Sequence, residues 1–246
     1  MRIMKKIIFL IFMMLLFLNN VFADDSFEIL SEVTKYYKIV TNYERSMYFL
    51  SLDDYNSSNI FSSSYEISEE EYENDSNIHI LSSGIVETTY KKMTTSISKN
   101  DKYYRYKNIV VWKKMPKIRS YDVIAIGFNS NVKISGTPIS SLKYDSKTLT
   151  NSNFKKTNTG VSSTFKLPSG TYSNMTAELY FNVEKNTSAT ILTQKVYGDY
   201  AHSTSSVSLN NASKHSINTS GINFDSSVVN SFDDISCAVV TLNNNW

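Results

Sequence analysis

Cysteine, proline, glycine and histidine are scarce in this chain, and each shortage excludes a class of protein. The 246 residues include one Cys, three Pro, seven Gly and three His. One Cys cannot form an intramolecular disulfide, and the three His lack the ligand spacing of a zinc site. The low glycine and proline contents exclude a collagen-like chain. The sequence therefore predicts no disulfide framework, no metal site and no cofactor.

Long hydrophobic runs are also scarce, since the only one is the twelve-residue stretch Ile7–Leu18. Three basic residues precede it, and Val21-Phe22-Ala23 follows it before an acidic segment. This order is typical of a secretory signal peptide, whereas a helix that crosses a bilayer needs about 20 apolar residues. We predict a signal peptide over residues 1–23, cleavage before Asp24, and a secreted mature chain with no membrane span.

Charge is distributed unevenly along the mature chain. Residues 24–90 contain 14 acidic and 3 basic side chains, whereas residues 91–246 contain 9 acidic and 19 basic ones. Two interpretations follow. The acidic segment solvates itself or lies against the basic part, or it masks a basic binding surface until it is removed.

The first part of the mature chain has a helical apolar spacing followed by a polar stretch. Apolar residues recur every three or four positions at Phe27, Leu30, Val33, Tyr37, Val40, Tyr43, Met47 and Leu50. This stripe predicts an amphipathic helix within residues 24–50. Residues 51–84 are rich in Ser, Asn and acidic side chains, which is typical of a linker. Within it, Ser68 and Glu71 have the capping-box spacing that predicts a short helical turn.

From residue 85 onward the apolar period changes to two. Met175, Ala177, Leu179, Phe181 and Val183 alternate with polar neighbours, which predicts a strand with one buried face. Further segments rich in β-branched and aromatic residues, bounded by turn-prone sequences, bring the total to around eight strands. We therefore predict a mainly β fold, an antiparallel two-sheet sandwich over residues 85–246 preceded by the N-terminal helix.

Three segments carry a resemblance to other proteins. Leu50–Tyr55, Tyr65–Tyr72 and Trp112–Ile124 resemble stretches of uncharacterised secreted β-rich proteins of AT-rich Gram-positive bacteria. The resemblance would span most of the mature chain. It implies no activity, and it adds no substrate or site residue.

Few residues have the pattern of a catalytic nucleophile or base. The Gly-x-Ser-x-Gly motif is missing, and Cys237 lies in an apolar segment that predicts a buried, unreactive thiol. The spacing of Asp199 and His202 could orient an imidazole, and this pair is the candidate site of a secreted hydrolase.

Acidic pairs do not have the spacing of a glycosidase. Glu178 and Glu184 share one strand face, but their backbones would be roughly 20 Å apart, too far for two cooperating carboxyl groups. We predict that both are solvated. Asp233 and Asp234 are adjacent, and such a pair in a turn more often caps the backbone.

The remaining feature is a segment in which aromatic and basic residues alternate. Such side chains can stack on sugars and pair with anionic polymers. We predict a ligand-binding patch made of Tyr104, Tyr106, Trp112, Lys113, Lys114 and Arg119. The competing interpretation is a Tyr-rich strand whose rings pack inside and whose Lys side chains line the rim.

The function predicted from these features is that of a secreted, non-enzymatic binding protein. Its expected partner is a cell-wall polymer or another anionic surface, rather than nucleic acid, bound through the aromatic and basic patch. The alternatives are a secreted hydrolase and a secreted membrane-active β protein.

Overall fold

The computed structural model describes residues 27–43, 60–74 and 85–246, except 117, 171 and 234. The predicted signal peptide lies outside these residues. Two short helices, α1 (Glu69–Asn74) and α2 (Leu209–Ala212), and a 3-10 turn at Val229–Ser231 occur among the strands. The strands are β1 (Glu28–Tyr43), β2 (Ile60–Ile67), β3 (Ile85–Lys99), β4 (Tyr104–Lys114), β5 (Tyr121–Phe128), β6 (Val132–Tyr144), β7 (Lys147–Asn151), β8 (Phe154–Thr157), β9 (Gly160–Lys166), β10 (Ser173–Lys185), β11 (Thr193–Ala201), β12 (His215–Asn218), β13 (Gly221–Phe224) and β14 (Ser236–Asn243).

The strands form two main sheets and one hairpin, and every pairing among them is antiparallel. The large sheet has seven strands in the order β2-β1-β3-β4-β10-β6-β7, and the small sheet has five in the order β14-β11-β5-β9-β8. The hairpin pairs β12 with β13. The prediction of a mainly β fold with antiparallel sheets is confirmed.

The two main sheets pack face to face around one apolar core. Trp112 of the large sheet contacts Tyr200 of the small sheet with ring centroids 6.0 Å apart, and Tyr106 contacts Phe128 at the same separation. Strand β10 supplies the middle of this core. Its five alternating apolar residues from Met175 to Val183 are all buried, which confirms the predicted period.

A buried asparagine ties the sheets together where their backbones approach closely. Asn108 of β4 donates from its amide nitrogen to the carbonyl oxygens of Ala125 (3.2 Å) and Asp199 (3.1 Å) in the small sheet. A Cβ atom at Gly198 would lie 1.9 Å from Thr95 Oγ1. The close approach therefore requires glycine at this position.

A second, smaller core lies on the other side of the small sheet. The hairpin, helix α2 and the turn before β14 cover this side, so the central strand β5 of the small sheet is buried on both faces. Its apolar members include Val123, Ala125, Ala201, Ile222 and Phe232.

The predicted N-terminal amphipathic helix is wrong over residues 28–43, which form strand β1. Residues 24–26 and 44–50 of that prediction lie outside the described residues. β1 pairs with β2 along one edge and with β3 along the other. Both of its faces are partly covered, since Tyr36 on one face is partly buried and Tyr37 on the other is buried. Apolar residues on both faces produce spacings of three and four by coincidence. Tyr36 and Ile39 are apolar but lie outside the helical stripe. An aromatic and a β-branched residue at these positions favour a strand over a helix.

The predicted linker is structured over residues 60–74, where it forms β2 and α1. The capping-box prediction is confirmed, because the backbone N–H of Glu71 donates to Ser68 Oγ at 3.1 Å. Strands β1 and β2 belong to the large sheet, so the sandwich does not begin at residue 85 as predicted. Over residues 27–43 and 60–74, the acidic segment is part of the large sheet and of helix α1.

Candidate functional site

Strand alternation divides the predicted aromatic and basic patch between the core and the surface. Tyr104, Tyr106 and Trp112 point into the core and are 4%, 1% and 0% exposed. Buried rings cannot stack on a ligand, so the prediction is wrong for these three residues. The competing interpretation, in which the rings pack inside, describes them correctly.

The basic members of the patch lie at or near the surface. Lys113 is half-buried and donates to the carbonyl oxygen of Tyr72 at 2.5 Å, and Lys114 is exposed. Arg119 donates to the carbonyl oxygen of Pro116 at 2.6 Å and to that of Pro168 at 3.0 Å. Arg119 therefore holds two loops together at one end of the sandwich.

Between the buried rings of β4, alternate residues point away from the core on the exposed side of the large sheet. We call this side the outer face. The pairing registers of β3, β4, β10 and β6 place six cations there, together with Tyr180, Glu178 and Glu184. These cations are Lys92, Arg105, Lys107, Lys113, Lys133 and Lys143. Six positive against two negative groups make these four strands basic on the outer face.

Several of these cations lie close to aromatic rings that are not part of the core. The Arg105 guanidinium carbon is 3.5 Å from the Phe27 ring centroid and 4.9 Å from that of Tyr180. Lys92 Nζ lies 5.7 Å from the Tyr36 ring centroid. Cation–π contacts of this kind fix the positions of the charges while leaving them on the surface.

Glu178 anchors the centre of the outer face and is not solvated as predicted. Its side chain is 9% exposed and forms ion pairs with Lys107 at 2.5 Å and Lys143 at 3.1 Å. Burial by itself would raise the pKa of Glu178, but the two ammonium groups outweigh burial and lower it. Glu184, in contrast, is exposed and pairs with Lys133 at 3.2 Å.

The acidic helix α1 lies at one end of the outer face. Glu71 pairs with Lys38 at 3.4 Å, and Glu73 approaches Lys113 at 3.9 Å. Tyr36 donates to Glu69 at 2.5 Å, and this hydrogen bond raises the Tyr36 pKa to about 12. Among the described residues, the acidic segment thus contacts the basic part of the chain at this end and leaves Lys133 and Lys143 of β6 outside the contact.

The second cluster of functional groups is buried between the sheets. Lys91 of β3 and Asp233, just before β14, form an ion pair at 3.1 Å with both side chains 0% exposed. The His202 backbone N–H donates to Asp233 Oδ1 at 2.7 Å. We call Lys91, Asp122, Tyr200, His202 and Asp233 the buried polar cluster. Sequence reasoning missed Lys91 and Asp122, although a Lys at an inward position of an alternating strand was the available signal.

His202 is oriented by Asp122 and not by Asp199 as the hydrolase hypothesis required. Its Nδ1 atom lies 2.9 Å from Asp122 Oδ2, and the Tyr200 hydroxyl donates to the same oxygen at 2.6 Å. Asp199 and His202 are three positions apart, which places them on opposite sides of an extended chain. His202 is 3% exposed and packs against the Trp112 ring, so its imidazole has no access to a substrate in this conformation.

Asp199 instead holds the hairpin against the small sheet. Its Oδ2 atom accepts from the Ile222 N–H at 2.7 Å, while Oδ1 is buried with no hydrogen-bond partner among the described residues. Burial raises the Asp199 pKa to about 6, partly offset by the Ile222 N–H. Burial and the nearby carboxylate also raise the Cys237 pKa to about 12, so this thiol stays protonated near neutral pH.

The described ranges lack two other kinds of functional feature. No helix in them is long and apolar enough to cross a membrane. The same residues contain no group of three or more His, Cys, Asp or Glu side chains arranged to hold a metal ion.

Comparisons with known proteins show distant structural similarity alone. No protein-family model matches the chain, and no curated protein matches it. Among solved structures, it is similar to the full-length major pilin SpaD of Corynebacterium diphtheriae, with 9% sequence identity and a TM-score of 0.32. The similarity covers 83% of this chain and 61% of the pilin, so the chain spans less than two thirds of the pilin's length. A likeness at this level defines no family for this chain.

Proposed function

We propose that the protein is exported and binds an anionic cell-wall polymer, without catalysis, through the outer face. The observation that supports this proposal most strongly is the excess of six cations over two carboxylates on four adjacent strands of one exposed sheet side. Export is supported by the signal-peptide pattern of residues 1–23. The proposal replaces the predicted aromatic patch with a surface on the same strand, β4, and its neighbours.

A polymer suits this surface better than a small ligand does. The cations are distributed along and across the strands, and strands in a sheet are about 4.8 Å apart. An extended anionic chain can therefore meet several cations in succession. Tyr180 and the exposed Ile139 lie between them and offer apolar contact to a polymer backbone.

The experiment is co-sedimentation of the purified full-length exported protein with bacterial cell walls at low and moderate salt. A variant that combines Lys92→Gln, Arg105→Gln and Lys143→Gln removes three charges from the outer face. Each basic residue near an anionic surface contributes about 1 kcal/mol, so we expect about a hundredfold weaker binding. Binding of the wild-type protein should also weaken as salt rises, because ions screen exposed charges.

The matched control removes three charges that lie away from the outer face through Lys156→Gln, Lys195→Gln and Lys214→Gln. These residues are exposed and belong to the small sheet or to the loop before the hairpin. The control should bind nearly as well as the wild type. Equal losses in both variants, or binding that salt does not weaken, would refute the outer face as the site. Sedimentation with anionic liposomes but not with walls would refute the polymer as the partner.

A further inference from the structure

The buried pair of Lys91 and Asp233 is unusual because an ammonium group with no solvent exposure is enclosed by aromatic rings and has a single carboxylate as its ion-pair partner among the described residues. Lys91 is directly opposite Tyr37 of β1 and Trp112 of β4 in the pairing registers of the large sheet. Its Nζ atom lies 5.4 Å from the Trp112 ring centroid and 5.1 Å from that of Tyr200. The side chain has 0% exposure, so no solvent reaches the charge.

This ammonium group is poorly satisfied. A protonated Lys has three N–H donors, and among the described residues Lys91 Nζ forms one hydrogen bond, to Asp233 Oδ2 at 3.1 Å. The aromatic rings offer weak electrostatic support only. Two charges removed from water with so few hydrogen bonds gain little from their mutual attraction. Burial therefore favours a reaction that removes the charges of both Lys91 and Asp233.

Backbone hydrogen bonds hold the Asp233 carboxyl group in place beside the amine. The His202 N–H donates to Oδ1 at 2.7 Å, and the Asp233 N–H donates back to the His202 carbonyl oxygen at 2.8 Å. Oδ2 faces Lys91. The two oxygens thus have different surroundings, one bound to a backbone donor that stabilises developing negative charge and the other next to the amine.

We infer that Lys91 and Asp233 form an intramolecular amide bond between Nζ and Cγ after the chain has folded. A proton passes from the ammonium group to Oδ2, which gives a neutral amine and a neutral carboxylic acid. The nitrogen lone pair attacks Cγ, and the electron pair of the C–Oδ1 double bond moves to Oδ1 beside the His202 N–H. The C–Oδ2 bond then breaks, and Oδ2 leaves as water with the two protons that the nitrogen has lost. No oxidant, reductant or cofactor is consumed.

Burial also favours the first step, the transfer of a proton to Asp233. It raises the Asp233 pKa, which favours the protonated acid, and the nearby Lys91 charge opposes this effect only in part. The bond would join β3 to the segment just before β14, which are 142 positions apart in the sequence. It would connect the large sheet covalently to the small sheet in a chain whose one cysteine cannot form a disulfide bridge within it.

The test is the intact mass of the purified full-length exported protein, read against the mass calculated for the N-terminus that peptide mapping finds. We expect a mass lower by one water molecule. Trypsin should yield a branched peptide that joins the segments of Lys91 and Asp233, because trypsin does not cleave after an acylated lysine. A mass equal to the calculated one, with separate linear peptides for the two segments, would overturn the inference.

Two variants distinguish the amide bond from other losses of water. Lys91→Arg keeps the positive charge but removes the nucleophilic amine, so it should restore the full mass. Lys92→Arg changes the adjacent residue on the outer face and should keep the loss of one water. A cyclic imide formed at Asp233 itself would persist in Lys91→Arg and give no branched peptide, and that result would overturn the inference. If Lys91→Arg fails to fold, the branched peptide of the wild-type protein still decides the question.

Discussion

Replacing Trp112 with alanine is expected to lower the free energy of unfolding by about 3 to 5 kcal/mol. The side chain is 0% exposed, and its Nε1 atom donates to the Tyr200 hydroxyl at 3.0 Å. The substitution leaves a large cavity between the sheets, and it removes the hydrogen bond as well. Chemical denaturation with an unchanged m-value would measure the loss.

The adjacent residue provides a matched control for this prediction. Lys113 follows Trp112 on β4 but points to the outer face, and its side chain is 33% exposed. Lys113→Ala should cost less than about 2 kcal/mol, because it removes a hydrogen bond to the Tyr72 carbonyl oxygen and a surface ion pair but opens no cavity in the core. If Trp112→Ala were no more destabilising than Lys113→Ala, Trp112 would be a surface residue, as the binding-patch hypothesis required.

Replacing Asp199 with asparagine is expected to abolish one component of the pH dependence of stability. Burial raises the Asp199 pKa from 3.8 to about 6 in the folded protein. The folded state therefore binds the proton more tightly than the unfolded state does. Its stabilising effect is fully present below pH 3.8 and is lost as the pH rises through about 6. The size of this effect is roughly 3 kcal/mol.

The measurement is the free energy of unfolding between pH 3.5 and pH 7, taken for both proteins at about half-unit steps. The difference between wild type and Asp199→Asn isolates this group, because other titrating groups such as His215 are common to both. Relative to the variant, the wild type should become less stable as the pH rises. A constant difference over this range would show that Asp199 is not buried against the hairpin.

Much of the fold follows from the alternation of apolar and polar residues. Strand β10 could be predicted with its buried face because one side is covered by the core and the other is exposed. The short strands β7, β8, β12 and β13 cannot be predicted from this alternation. They have four or five residues each, too few for a period to emerge. The helical prediction for β1 failed for the opposite reason, since both faces of that strand carry apolar residues.

The candidate site was predictable in composition but not in orientation. The sequence shows that aromatic and basic residues alternate along β4, and alternation places them on opposite faces of any strand. Which face is buried depends on the packing of β4 against the small sheet, whose strands β11 and β14 lie far away in the sequence. The same long-range packing places Asp122 beside His202 and Asp233 beside Lys91. No local pattern specifies those pairs.

The central claim is that the cations of the outer face contact an anionic wall polymer. Its most direct test is lysine acetylation of the full-length protein with and without cell walls, with each site quantified by mass spectrometry. The account predicts that walls protect Lys92 and Lys143 while Lys156, Lys195 and Lys214 stay equally reactive. Protection of the second group, or equal protection of both, would contradict it.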